Sequence, residues 1–265
     1  MNTAEFLTIR PVFTLKQFQE SCFPKGKPDT VRTALYRAHQ KGQVRVLKRG
    51  LYQSRPAGVN GFPPPSPVLV ASQLAEDAVL SHHTAFEALG FSHSEFFRLA
   101  TFFTNSNRHS LEIQDVRYQP LLHPASLMKK GKTDQEVIEL SLGNVKVRAT
   151  SRERTLVDGI QSLKWMGGWE EFCHCVDKVP GFNWDKVWKY AQLLDSPTLF
   201  SRLGFFLEEN QKRLFVPEKI LKKLQEQKSK NIVPLYADST NTSKANKKWN
   251  VSVPEDAITK LEELT

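Results

Sequence analysis

Apolar residues recur along this chain at two spacings, and a change of spacing marks where an element ends. After Thr14, a capping residue, Leu15, Phe18 and Cys22 fall at the core spacing of a short helix. Pro28-Asp29 is a start signal with Asp29 as N-cap, and Val31, Ala34, Leu35 and Ala38 form the inward stripe of a helix over 30–41 that stops at Gly42. Beyond Gly42 the period falls to two. Val44, Val46 and Tyr52 alternate with Arg45 and Lys48, which predicts strands over 44–48 and 51–54 joined at Arg49-Gly50. Helix, helix and β-hairpin in that order predict a winged helix-turn-helix.

The segment 55–67 holds five prolines and two glycines in thirteen residues and reads as a stiff connector. A mixed region follows, with helices over 68–74 and 81–89, the second capped by Ser81 and stopped by Gly90. Strands are predicted over 98–104, 111–122, 137–142 and 145–149, with Gly143-Asn144 as a hairpin turn. Helices then dominate, over 152–163, 169–179, 184–194, 198–209 and 217–228. Segments 232–237 and 249–253 are expected to rejoin the sheet, with a polar loop over 238–248 and a closing helix over 254–264. The expected class is α/β mixed (α+β). A winged-helix domain (1–56), a Pro-rich linker (57–67) and a larger domain (68–265) are expected, the last with a small mixed or antiparallel sheet and a helical C-terminal part.

Composition fits a folded chain: 40% of residues are hydrophobic and 25% charged, too apolar for disorder. No run nears the ~18 apolar residues of a membrane helix, so no membrane partner is expected. The first residues lack the apolar core of a secretory signal. Three cysteines, Cys22, Cys173 and Cys175, show no CxxC, so neither a disulfide framework nor a zinc ribbon is indicated. A cytoplasmic setting is the expectation.

Charge changes the picture more than composition does. Residues 1–56 hold eleven Lys and Arg against Glu5, Glu20 and Asp29, and so carry +8 of the chain's +9. Such a module gains free energy by releasing counterions from a polyanion. On the helix over 30–41 the outward residues are Arg32, Thr33, Tyr36, Arg37, Gln40 and Lys41. Arg32 and Arg37 have the fork that matches the guanine O6/N7 edge, and Gln40 suits adenine. Thr30 and the first-turn N–H groups are placed for a phosphate. Arg45, Lys48 and Arg49 on the hairpin complete the expected DNA-binding set, Lys48 and Arg49 being better suited to backbone contacts.

No catalytic residue, metal site or cofactor is indicated. His82-His83 has no HExxH partner, and Cys173-His174-Cys175 puts two thiols at i, i+2, which diverge on a helix. Glu226-Gln227-Lys228 resembles a nuclease ExK but lies in a helical stretch, and Gly167-Gly168 lacks the paired acids of a nucleotidyltransferase. There is no Walker loop and no GxGxxG. In SRERTLVD, Ser151 caps a helix that places Arg154 and Asp158 at i, i+4. In SRLGFFLEEN, Arg202 and Glu209 flank an aromatic helix in which Gly204 permits close approach. These four charged residues either anchor core helices or shape a surface for another protein.

The ordered set VLKRGLY (46–52), AVLSHHTAFEALG (78–90), RERTLVDGI (152–160), GGWEEF (167–172), RLGFFLEE (202–209) and WNVSVP (249–254) resembles the AbiEi family. These are antitoxins of type IV toxin–antitoxin systems of bacterial abortive-infection phage defence. The resemblance implies an N-terminal winged helix that represses the operon's own promoter, so double-stranded promoter DNA is the expected ligand. It also implies a C-terminal domain that counteracts a nucleotidyltransferase-like toxin, with or without direct binding. Two departures bear on docking: the first helix is shortened to about residues 3–10, and FPKGKP precedes the recognition helix. A ligand-responsive winged-helix regulator and a nucleic-acid enzyme using Asp158 or Glu226 are the alternatives.

Overall fold

Asn2 and Thr14 open their helices by the same device. In each, the side chain accepts from the N–H of the third helical residue, Glu5 or Gln17, whose own side chain accepts from the capping N–H. The computed structural model, which describes residues 1–94, 98–236 and 242–257, begins with α1 (Thr3–Ile9), β1 (Val12–Thr14) and α2 (Leu15–Cys22). Then come α3 (Pro28–Gln40), β2 (Val44–Lys48) and β3 (Leu51–Ser54). β1 and β2 flank β3, both antiparallel to it. Phe6, Phe13 and Phe18 meet with ring centroids 5.1–5.9 Å apart, and Val31, Leu35, Ala38 and Val44 close over them. Helix α3 starts earlier than expected: Lys27 is the N-cap, Pro28 takes the first helical position that suits proline, and Asp29 lies inside the first turn.

The next elements build a six-stranded sheet. After α4 (Pro67–Ser72), capped by Ser66, come β4 (Val79–Leu80), β5 (Leu99–Thr104), β6 (Leu111–Ile113), β7 (Val116–Leu122), β8 (Val137–Leu142) and β9 (Val145–Thr150). They lie in the order β6-β7-β5-β4-β9-β8. The single strand expected over 111–122 is a hairpin, with Leu111 opposite Tyr118 and Ile113 opposite Val116. Gln114 and Asp115 turn the chain with φ of +50° and +62°, the positive values that a two-residue hairpin loop needs.

Helices make up most of the remainder: α5 (His82–Leu89), α6 (Ala125–Lys129), α7 (Arg152–Gln161), α8 (Trp169–Asp177), α9 (Trp184–Leu194), α10 (Pro197–Glu209) and α11 (Glu218–Gln227). Gly90 stops α5 in the left-handed conformation as expected, but the Ser81 hydroxyl faces the His82 ring and caps no helix N–H. The segments expected to rejoin the sheet form a separate one instead. There β12 (Val251–Pro254) pairs parallel with β10 (Val233–Pro234) and antiparallel with β11 (Ser243–Asn246). β11 thus occupies part of the expected polar loop, and Pro254 ends a strand before a helical turn over 255–257. The expected loop over 238–241 and closing helix over 258–264 lie outside the described residues. Gly204 lets the Trp249 indole lie against α10; a Cβ there would stand 2.0 Å from a ring carbon.

The chain forms two compact units of mixed α/β (α+β) structure. One comprises Met1–Leu80, Phe97–Leu121 and Glu139–Arg148, and the other Ser81–Phe96, Leu122–Ile138 and Ala149–Thr265. Among the described residues no helix is long and apolar enough to cross a membrane.

Candidate nucleic-acid interface and buried polar centres

Helix α3 buries Val31, Leu35 and Ala38, half-buries Ala34, and presents Thr30, Arg32, Thr33, Tyr36, Arg37, Gln40 and Lys41 to solvent. The face is broad and mostly polar, with Tyr36 63% exposed. Arg32 stands 3.6 Å from Asp29 one turn earlier, an exposed pair that costs little to break. The Thr30 N–H is spent on the Lys27 carbonyl at 3.0 Å, so its hydroxyl is what remains for a phosphate. Beyond α3, Gly50 takes φ of +84° as the second turn residue of the β2–β3 hairpin, which leaves Lys48 and Arg49 exposed at the tip. Val44 is buried, whereas Val46, two residues further out, is 53% exposed because the hairpin runs past the core and bulges between Val46 and Lys48.

Arg45 differs from the rest of the expected DNA-binding set. Its Nε donates to Gln53 Oε1 at 2.7 Å, and its Nη2 donates to the Pro63 carbonyl at 2.9 Å and Gln114 Oε1 at 3.0 Å. The guanidinium also lies over the Phe62 ring, 5.1 Å from its centroid. Arg45 thus spends its Nε and Nη2 donors within the protein, tying the hairpin to the proline-rich segment and to the Gln114 turn.

In the second unit Arg154 and Asp158 pair as their spacing predicts, Nε to Oδ2 at 3.2 Å, but they are interior residues and shape no surface. Arg154 Nη1 donates to the carbonyls of Thr133 (2.8 Å) and Gln135 (2.9 Å), and Nη2 faces His123 Nδ1 at 3.1 Å. Tyr190 donates its hydroxyl to Asp158 Oδ1 at 2.7 Å. Burial pushes the Asp158 carboxyl up from its ordinary value, opposed by the Arg154 charge and the Tyr190 hydrogen bond. This centre joins α7 to α9 and to the chain around 123–135, a structural role. Arg202 is half-buried, with Nε on the Pro234 carbonyl at 2.8 Å. It borders a pocket of about 400 Å³ with Lys164, Leu163, Trp169, Leu235 and Tyr236. Glu209 is exposed at the end of α10, while its neighbour Glu208 holds the Trp249 indole N–H at 2.8 Å.

A second centre was missed by the sequence reading. His83 Nε2 and Cys175 Sγ both face Glu171 Oε1, at 2.9 and 3.3 Å, and Ser94 donates to the same carboxylate through its N–H and its hydroxyl. These donors hold the Glu171 carboxyl down near 2 in spite of its burial, while burial pushes the Cys175 thiol up to about 12. Glu171 and Cys175 at i, i+4 was the legible signal, hidden beside the more conspicuous Cys173-His174-Cys175. His82, 3% exposed, is held neutral: burial, with Arg154 and Lys164, lowers it to about 3.

No family model and no curated protein matches the sequence. The fold does have a solved counterpart. It is similar to the crystal structure of the RV2827C protein from Mycobacterium tuberculosis, with a TM-score of 0.63 over 98% of this chain and 92% of that one, at 14% identity. At that identity the likeness is one of fold alone. What the α3 face can do therefore rests on its own chemistry. A helix bearing exposed guanidiniums and an amide, beside a hairpin tipped with two cations, offers hydrogen bonds to base edges and charge to phosphates.

Proposed function

We propose that the protein is a DNA-binding repressor of its own promoter and the antitoxin of a type IV toxin–antitoxin pair, opposing a nucleotidyltransferase-like toxin. The observation that carries the DNA half is the exposed face of α3 with the Lys48-Arg49 tip. The order α1-β1-α2-α3-β2-β3, with β3 between β1 and β2, supports the reading as a winged helix, whose second helix-turn-helix member enters the major groove. In this reading Arg32, Arg37 and Gln40 face bases, and Thr30, Thr33, Tyr36, Lys41, Lys48 and Arg49 face the backbone. Arg45 braces the hairpin through its bonds to Gln53, Pro63 and Gln114. The antitoxin half is supported by the six ordered motifs that resemble AbiEi.

Titration of the promoter segment by the full chain at two salt concentrations tests the first half. Arg32→Ala and Arg37→Ala should each cost about 1–3 kcal/mol on the specific site, whereas Lys48→Ala should weaken all sequences alike and lower the salt slope by about one. Equal losses on specific and random DNA for all three variants would remove the base-reading assignment. Induction of the adjacent gene tests the second half. Toxicity relieved by the full chain, and still relieved by the Arg32→Ala/Arg37→Ala variant, separates neutralisation from repression. A harmless neighbour, or unrelieved toxicity, would refute the antitoxin role.

One observation favours a ligand-responsive regulator instead. The pocket bordered by Trp169, Leu235 and Tyr236 pairs an apolar wall with two cations, Lys164 and Arg202, a combination that suits a small anionic effector. Release of promoter DNA by such a ligand, without rescue of growth, would favour it.

A further inference from the structure

Three donor atoms of different chemistry meet inside the second unit. Glu171 and Cys175 stand four apart on α8 and so share one helix face, and His83 reaches them from the start of α5. His83 Nε2 lies 2.9 Å and Cys175 Sγ 3.3 Å from Glu171 Oε1, and all three atoms fall within 4.8 Å of one another. A tetrahedral zinc ion, with bonds of about 2.0–2.3 Å, holds nitrogen and oxygen ligands about 3.4 Å apart and sulfur about 3.6 Å from either. The two edges from Glu171 are thus tighter than the ion requires by a few tenths of an ångström and the Nε2–Sγ edge is no longer than 4.8 Å, so side-chain rotations on α5 and α8 bring the three atoms to the ion's spacing.

The surroundings resemble the support that a metal site needs. His83 is 1% exposed, Glu171 9% and Cys175 0%, so the donors are drawn from the interior. Ser94 donates its hydroxyl to Glu171 Oε2 at 2.6 Å and its N–H to Oε1 at 3.0 Å, which fixes the carboxylate with Oε1 toward the imidazole and the thiol. A hydrogen bond of this kind orients a ligating carboxylate and raises its affinity. The backbone N–H of His93 is directed at the Cys175 sulfur and favours the thiolate. Imidazole, carboxylate and thiolate together select zinc over magnesium or calcium, which prefer oxygen alone.

We propose that His83, Glu171 and Cys175 bind one zinc-class divalent ion through Nε2, a carboxylate oxygen and Sγ, with a fourth position left for water or an incoming ligand. On binding, the thiol proton leaves to solvent and the imidazole passes to the tautomer protonated at Nδ1. The sulfur and Nε2 lone pairs become ligands, and Glu171 exchanges two hydrogen bonds for one metal bond.

The test is titration of chelator-treated full-length protein with cobalt(II) and zinc(II) salts alone. One equivalent of cobalt should bind with a sulfur-to-cobalt charge-transfer band that zinc displaces. Cys175→Ser keeps a hydroxyl donor for Glu171 but supplies no thiolate; it should abolish the band and weaken zinc about a hundredfold or more, with unchanged unfolding of the metal-free protein. Ser94→Ala should weaken zinc about 10–100-fold with the band retained, and Cys173→Ser and Cys22→Ser should leave both intact. Absence of stoichiometric binding, or equal zinc affinity in Cys175→Ser, would overturn the proposal and leave the three residues as a hydrogen-bonded clasp between α5 and α8. His83→Asn is informative only if folded; the Cys175→Ser result decides without it.

Discussion

Replacing Arg154 by methionine removes a fully buried charge from the second unit while keeping much of its volume. Asp158, 2% exposed, would keep the Tyr190 hydroxyl but lose its cation. Taking away one partner of a buried pair costs about 3–5 kcal/mol. The half-buried Thr133 and Gln135 also lose the Nη1 donor that now bonds their carbonyls at 2.8 and 2.9 Å, at about 0.5–1.5 kcal/mol for each bond. These losses share one site and do not add in full, so about 5 kcal/mol is expected. A domain holds only about 5–15 kcal/mol in total, so Arg154→Met lies near the limit of folding. Asp158→Leu alone should also be severe, since it strands the guanidinium. The double variant Arg154→Met/Asp158→Leu should be less damaging than the sum of the singles by at least ~1 kcal/mol, because it strands neither charge. Urea unfolding followed by tryptophan fluorescence measures all three. An Arg154→Met variant within about 1 kcal/mol of the parent would refute the argument, since a buried unpaired carboxylate cannot be that cheap.

Gly204→Ala sets a methyl group 2.0 Å from the Trp249 ring and should cost about 1–3 kcal/mol with a shift in tryptophan emission; parental stability would mean the indole is not seated there. The His82 imidazole titrates near 3 folded against an ordinary 6.5, so the unfolded chain takes up the proton first. Its contribution is full above about 6.5 and falls by about 1.4 kcal/mol per pH unit on acidification toward 3. His82→Asn, which tolerates the local φ of +51°, should flatten that dependence, and an unchanged slope in urea unfolding from pH 7 to 5 would count against it. Arg45→Ala should lower stability by about 1–2 kcal/mol yet reduce the salt slope of DNA binding less than Lys48→Ala does. The reverse ranking would return Arg45 to the phosphate-facing set.

Local signals carried much of the fold and little of the buried chemistry. The hairpin bounds 44–48 and 51–54 were readable because the apolar period changes at Gly42 and a glycine sits at the turn. The inward stripe of α3 was readable for the same reason, a period of 3.6 over thirteen residues. Gln114-Asp115 hid its turn, since neither residue is a glycine and positive φ leaves no mark in such a sequence. β11 has no apolar alternation because none of its residues is buried, and its pairing depends on β12 alone. Arg154 and Asp158 could be paired by spacing, but their burial is set by Tyr190 and His123, which lie 32 and 31 residues away. Likewise His83 meets Glu171 across 88 positions, a distance over which no periodicity speaks.

The two units are interleaved along the chain, which passes between them five times. A ribosome making this protein therefore delivers them in alternating instalments. The core under α3 draws on residues from Phe6 to Val44 and is complete almost as soon as its segment emerges. The six-stranded sheet must wait for β8 and β9, which follow Leu80 by roughly 60 to 70 residues. At about 5–20 residues per second that wait lasts several seconds. During it β4 can pair with β5 on one side but carries an apolar edge whose other neighbour, β9, has yet to be synthesised, so the nascent chain is most exposed to misassociation after its basic face has formed and before its sheet can close.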